Sequence, residues 1–192
     1  MFKCKNIRYR ERGVTLVELL IVISIAGILA SLALPSYRNM IISNKISTLT
    51  SELHGNLLLA RSEALKRGIN VSVCKSSNAD SVAAACDISQ SEAGVNIGWA
   101  SGWLIFADLN GNCSLDNGEP LIRAQGMMLS NPQDGAIVPS NGAECLSFGV
   151  MGQTFNAVNF QVSAPAGFAS LERAVCVAIG GRARVGKAPA CV

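Results

Sequence analysis

The stretch Arg12-Gly13-Val14-Thr15-Leu16-Val17-Glu18-Leu19-Leu20-Ile21-Val22-Ile23 decides how the rest of the chain is read. From Leu19 through Tyr37 there is no charged residue, and most positions to Leu34 are Leu, Ile, Val or Ala. A helix of that length crosses a hydrocarbon core of about 30 Å. Upstream, Lys3, Lys5, Arg8, Arg10 and Arg12 stand against one acid, Glu11. This excess of cations keeps the N-terminal end in the cytoplasm and sends the remainder across the membrane.

Only Glu18 breaks the apolar run. Burying a carboxylate in a bilayer costs roughly 2.5 to 3.5 kcal/mol on insertion scales, so Glu18 needs a cation or a proton. A cut between Gly13 and Val14 would create an ammonium one helical turn away, or one that reaches the Glu18 of a neighbouring subunit. A signal anchor with its acid near the cytoplasmic interface accounts for the same residues, and the physics alone leaves both open.

Gly13-Val14-Thr15-Leu16-Val17-Glu18 resembles the type IV prepilin processing site G-F-T-L-x-E. It has the short basic leader, the Glu at the fifth mature position, and a helix-bending proline, Pro35, where pilins carry theirs. Val14 departs from the usual Phe. The resemblance implies cleavage after Gly13 and methylation of the Val14 amine by a prepilin peptidase, then packing of the helix against other pilin subunits in a pilus or pseudopilus. Residues 1–13 are then a prepilin leader, not a secretory signal peptide, because the apolar segment lies after the cut and is retained.

The cut also changes the charge and the cysteine count. The 192-residue chain has 16 basic and 13 acidic residues, for a net charge of +3. Residues 1–13 carry five of the basic and one of the acidic residues, so the mature chain stands at 11 minus 12, or −1. Any basic patch must therefore be local. Cys4 stays with the leader, leaving Cys74, Cys86, Cys113, Cys145, Cys176 and Cys191 in a compartment that permits disulfides. Six cysteines allow about 15 connectivities. The short loops Cys74–Cys86 and Cys176–Cys191 are preferred, leaving Cys113 with Cys145. No C-x-x-C pair points to a zinc ribbon or thioredoxin-like site.

Beyond Pro35, the residues Ile42, Ile46, Leu49, Leu53, Leu57, Ala60 and Ala64 recur at spacings of three and four, an amphipathic helical stripe. Lys45, Glu52, Arg61 and Lys66 fall away from it, and Arg67-Gly68 supplies a basic last turn and an αL cap. A helix over about 14–67, with a bend or local melting at Pro35, would be roughly 80 Å long. Its first half, 14–36, belongs in membrane or filament, and its second half packs under its own head. His54, the only histidine, is expected to pack on the helix surface.

From Asn70 the period changes to two. Short strands are predicted at Val71 to Val73, Trp103–Ala107, Leu121–Arg123, Ala136–Val138, Cys145–Val150, Val158–Val162 and Ala174–Ile179. Ser76 to Gly98 reads as a loop tied by Cys74 and Cys86. The predicted architecture is α+β and type IV pilin-like, a long N-terminal helix packed on an antiparallel β-sheet head, residues 37–192, in the periplasm.

The segment Gly102-Trp103-Leu104-Ile105-Phe106-Ala107-Asp108-Leu109-Asn110-Gly111-Asn112, continued by Asp116-Asn117-Gly118-Glu119-Pro120-Leu121-Ile122-Arg123, is similar to the pattern of the GspH/FimT group of minor pilins and pseudopilins. Asp108, Asn110, Asn112, Ser114, Asp116 and Glu119 also match positions 1, 3, 5, 7, 9 and 12 of a calcium-type loop, but its sixth position, normally Gly, is Cys113. A turn in which Asx side chains satisfy backbone groups explains the same residues. No metal ligand set and no cofactor are assigned.

The last twenty residues hold Arg173, Arg182, Arg184 and Lys187 with no acid after Glu172. A Cys176–Cys191 bridge would make Gly180-Gly181-Arg182-Ala183-Arg184-Val185-Gly186-Lys187 a projecting loop. Alternation puts Arg182 and Arg184 on one face of an extended segment, where two guanidinium groups can hold adjacent phosphates. Gly181, Arg182 and Arg184 resemble the DNA-binding tail of FimT-type pilins used in natural transformation, which implies double-stranded DNA as a partner; Lys187, in the same basic segment, is expected to join the contact. A basic hairpin end that touches only the next pilin is the alternative. The chain lacks G-x-S-x-G, H-E-x-x-H and a phosphate-binding glycine loop, and with one histidine no nucleophile pair beyond that position is available, so an enzyme is not expected. Two classes remain: a DNA-binding minor pilin at the surface of a Gram-negative cell, and a structural or type II secretion subunit with no DNA contact.

Overall fold

The computed structural model describes residues 13–87, 97–189 and 191, and for 32–35 the backbone only. The basic leader, with Cys4, lies outside the described residues. Helix α1 runs from Leu16 to Arg67, and its backbone stays helical through Pro35, whose side chain and expected bend fall in the segment described by backbone alone. Thr15 caps it: the Thr15 hydroxyl accepts a hydrogen bond from the Glu18 amide at 3.2 Å. Thr15-Leu16-Val17-Glu18 is thus an S/T-x-x-E start in which the acid also faces the positive end of the helix dipole. At the other end Gly68 takes φ +64°, and its amide bonds to the carbonyl of Ala64 at 2.9 Å, closing the helix as the sequence predicts.

The chain divides into two compact units, with the boundary between Met40 and Ile41. The first unit is bare helix. Leu16, Leu19, Ile21, Ile25 and Ile28 are all exposed, and this helix alone among the described residues is long and apolar enough to cross a membrane. Ser24 and Ser31 donate their hydroxyls back to the carbonyls of Leu20 and Ile28, leaving no unpaired polar group from those side chains.

In the second unit the stripe Ile46, Leu49, Leu53, Leu57, Ala60 and Ala64 is buried, and Ile42 packs at its margin. It lies on two antiparallel four-stranded sheets, which make up the antiparallel head that the sequence predicts. Strands β1 (Val71–Lys75), β2 (Trp103–Ala107), β3 (Leu121–Gln125) and β5 (Cys145–Phe148) form the first, in the order β3-β2-β1-β5. Strands β4 (Ala136–Pro139), β6 (Val158–Ser163), β7 (Arg173–Val177) and β8 (Ala183–Lys187) form the second, in the order β4-β6-β7-β8. One core joins α1 to both, with Trp99 edge-on to Phe160 at 4.9 Å between ring centres.

Strand β2 is buried at all five positions and shows no alternation. Trp103 and Ile105 face the main core, whereas Leu104 and Phe106 join Cys74 and Ala79 in a second cluster under the loop that follows β1. The Cys74–Cys86 bridge closes that loop, Cys113–Cys145 ties the β2–β3 connection to β5, and Cys176–Cys191 folds the chain end back onto β7. These are the pairs that the spacing favoured. Closing a loop of 15 residues, as the last bridge does, stabilises by roughly 3 kcal/mol in the chain-entropy account.

Candidate nucleic-acid interface

The C-terminal basic segment is not a projecting loop. Ala183–Lys187 is β8, the edge strand of the second sheet, paired in register with β7 from Val177↔Ala183 to Arg173↔Lys187. Only the turn before it projects: the Gly181 amide bonds to the carbonyl of Ala178 at 2.7 Å, and the Ala178 amide bonds to the carbonyl of Arg182 at 3.1 Å.

Gly181 is required here for two reasons. It is buried with φ +71°, a conformation that L side chains avoid, and a Cβ on it would collide with the carbonyl oxygen of Gly152. Arg61 locks the same junction from the helix. Its Nε donates to the carbonyl of Gly152 at 3.1 Å and one terminal nitrogen to the carbonyl of Gly180 at 3.1 Å. The Thr154 amide adds a bond to the carbonyl of Ile179 at 2.8 Å. Arg61 does fall away from the apolar stripe, but it spends its guanidinium fork on two carbonyls and not on solvent.

From this fixed turn, Arg182 and Arg184 emerge exposed on either side of buried Ala183. They share the outer face of the sheet, as alternation predicts, and line a depression of about 240 Å³ with Asn159, Ala178, Cys176 and Cys191. The bridge forms one wall of it. The Cys191 amide donates to Cys176 Sγ at 3.0 Å, and Gly186 leaves room for Cys191, which lies within 3.2 Å of where a Cβ would stand. Lys187 is exposed too, but the register puts it on the opposite face, across from Arg173. Among the described residues no carboxylate pairs with Arg173, Arg182, Arg184 or Lys187; the ion pairs present use Lys45, Lys66, Arg67, Lys75 and Arg123. His54 packs as expected, with Nε2 at 3.4 Å from the carbonyl of Ala183.

The loop after β2 has the geometry of an Asx-rich turn. Asp108 is fully buried, and its carboxylate accepts from the Ser72 hydroxyl at 2.6 Å and from the amides of Gly111, Asn112 and Cys113 at 2.7, 3.1 and 3.1 Å. Glu119 accepts from the amides of Leu109 and Asp116. The oxygens that would face a cation are thus turned to backbone donors. Cys113 itself takes φ +61°, the left-handed bend for which a glycine was looked for. The side-chain amides of Asn110 and then Asn112 bond to Asp116 and hold its carboxyl below the ordinary 3.8. Among the described residues no three His, Cys, Asp or Glu side chains converge.

A capped apolar helix feeding a disulfide-tied antiparallel head defines a type IV pilin-like subunit. A solved structure with this fold, the type IV minor pilin FimU of Pseudomonas aeruginosa, superposes with a TM-score of 0.55 over 74% of this chain and 89% of that one, at 17% identity. Residues 49–181 match the family described as type II transport protein GspH, and residues 8–34 match the prokaryotic N-terminal methylation motif. The chain belongs to the GspH family, the GspH/FimT group of minor pilins and pseudopilins. Two curated relatives come from Dichelobacter nodosus. The type IV major fimbrial protein FimA is 48% identical over 42 residues, 22% of this chain and 27% of its own length. A probable minor fimbrial protein is 39% identical over 59 residues, 31% of this chain and 36% of its own. The chain therefore spans only about a third or less of those relatives.

Chain order alone groups Gly181, Arg182 and Arg184, which the structure places on one turn and strand edge, but not Arg61. The Thr15–Glu18 spacing was visible as a capping pair. Arg61 was not, because its partners lie 91 and 119 residues away in sequence.

Proposed function

We propose that this chain is a minor type IV pilin that assembles into or at the tip of a pilus and binds double-stranded DNA without sequence preference, for uptake in natural transformation. Processing cuts after Gly13 and methylates Val14, whose amine neutralises Glu18 as the 14–36 helix leaves the inner membrane for the fibre core. The exposed apolar helix and the methylation-motif match support that assembly role, with prepilin peptidase and sister pilins as partners and the periplasmic head, residues 37–192, carried to the cell surface. It acts as a fibre subunit and not as a catalyst.

One observation carries the DNA reading: Arg182 and Arg184 stand exposed on one face of an edge strand, with no acid paired to them among the described residues, on a turn fixed by Gly181, Arg61 and the Cys176–Cys191 bridge. Two guanidinium groups carried two residues apart on a fixed backbone suit successive phosphates, and phosphate contacts carry affinity without sequence information. A second reading, a priming or type II secretion pseudopilin with no DNA contact, is favoured by the family match, which is described as a transport protein and stops at residue 181, one short of Arg182.

The test uses the full chain in non-ionic detergent with a labelled duplex of arbitrary sequence, titrated at several salt concentrations. Binding is expected to weaken steeply with salt, and Arg182→Gln/Arg184→Gln is expected to abolish it while the head melts as in wild type. Unchanged binding in that double variant rules out Arg182 and Arg184 as the DNA contact, and no binding by the wild type favours the secretion reading.

A further inference from the structure

We propose a second phosphate-binding site on the other face of β8, in the groove between β8 and α1, so that one duplex straddles the edge strand. The choice of a duplex as ligand rests on the DNA reading above. The anion affinity of the groove stands apart from it.

Register is the first ground. Arg173 and Lys187 are directly opposite each other across β7 and β8, on the face that carries Val175, Val177 and Ala183 towards α1. Like charges in that relation repel and weaken a sheet. No described carboxylate relieves them: Glu172, the nearest in sequence, belongs to the outer face and takes the side-chain amide of Gln161 at 3.2 Å. A cross-strand pair of cations without a counter-ion is what an anion would stabilise.

The surrounding groove is the second ground. Ser47, Thr50, Ser51, His54, Arg173 and Val185 line a depression of about 200 Å³, with no acid among them. The Thr50 hydroxyl is spent on the carbonyl of Ile46, and His54 Nε2 is directed at Ala183. Ser47 and Ser51 are exposed on successive turns of the helix, leaving their two hydroxyls and the Arg173 guanidinium, one nitrogen of which lies 3.5 Å from the Glu172 carbonyl, as donors in the depression, with Lys187 beside it across the strand pair.

Position in the sheet joins this site to the first. Only at an edge can one ligand reach both faces of a strand, and β8 is the edge of its sheet. Arg182 and Arg184 would hold one backbone of a duplex and Arg173 and Lys187 the other, with the strand lodged in a groove wide enough for a β-ribbon, about 12 Å. A single strand has only one backbone to offer.

The test compares full-chain variants in non-ionic detergent. For the site itself, the probe is inorganic phosphate against chloride at matched ionic strength, in the Arg182→Gln/Arg184→Gln background. Phosphate is expected to raise the melting midpoint there, and adding Arg173→Gln/Lys187→Gln to remove the rise. For the straddling duplex, Arg173→Gln/Lys187→Gln alone is expected to flatten the salt dependence of duplex binding by about one phosphate contact per residue, with single-strand affinity retained. Lys187→Glu guards against misfolding, because it makes a cross-strand ion pair with Arg173. It is expected to melt at or above the wild-type temperature without phosphate and to gain nothing from phosphate. No phosphate response in the Arg182/Arg184 background, together with an unchanged duplex salt slope in the Arg173/Lys187 variant, overturns the second site. Were duplex binding instead to survive Arg182→Gln/Arg184→Gln intact, the assignment of the DNA contact to Arg182 and Arg184 would fall, while the phosphate response still decided the groove.

Discussion

The two halves of α1 are one continuous helix with opposite fates. Leu16 is 74% exposed and Leu20 48%, whereas Leu53 and Leu57 are fully buried. The distribution of side chains explains the difference. The first half is apolar all round, so it must be enclosed on every side by lipid or by several sister helices. The second half carries a single stripe, which one surface can cover, and its own two sheets do so. The width of the apolar face thus tells how many partners a helix needs, and among the described residues the two sheets cover the stripe of the second half.

Substitutions of the same kind in the two halves should separate them most widely. Leu53→Ala is expected to cost the head about 2 to 5 kcal/mol in chemical denaturation, and Leu20→Ala less than about 0.5 kcal/mol. Equal losses would break the comparison. On the polar side of the second half, Arg61→Ala removes a charged donor from the Gly152 and Gly180 carbonyls and should cost about 1.5 to 3 kcal/mol. DNA affinity should fall with it, yet without a change in salt slope, because Arg61 faces carbonyls and not phosphate. The smallest effect belongs to Asp116, which neither half touches. Its carboxyl is held below 3.8 in the fold, so it contributes stability above that pH and loses it as pH falls through the lowered value. Wild type and Asp116→Asn should accordingly differ in melting temperature near neutral pH and converge below about pH 3.8, a convergence that a melting series in acid would reveal.

Local patterning made much of this legible. The three-and-four spacing from Ile46 to Ala64, the Gly68 cap and the Asx turn around Asp108 are written in neighbouring residues, and each is present in the fold. What depends on distant partners was not. Alternation in Val158–Ser163 marks an inner face but says nothing of which sheet it joins. Gly180, Gly181 and Gly186 with four nearby cations read as a loop, and only pairing to β7 makes Ala183–Lys187 a strand. That pairing also moves Lys187 away from Arg182 and Arg184, which chain order alone had grouped together.

The first half of α1 is expected to find its partners in a fibre after the leader is removed. Intact mass and N-terminal peptide mapping of the subunit recovered from sheared fibres of the native host test this directly. The expected product begins at Val14 with one methyl group on its amine. A subunit that still begins at Met1 in the fibre fraction, or that never enters it, would contradict the account.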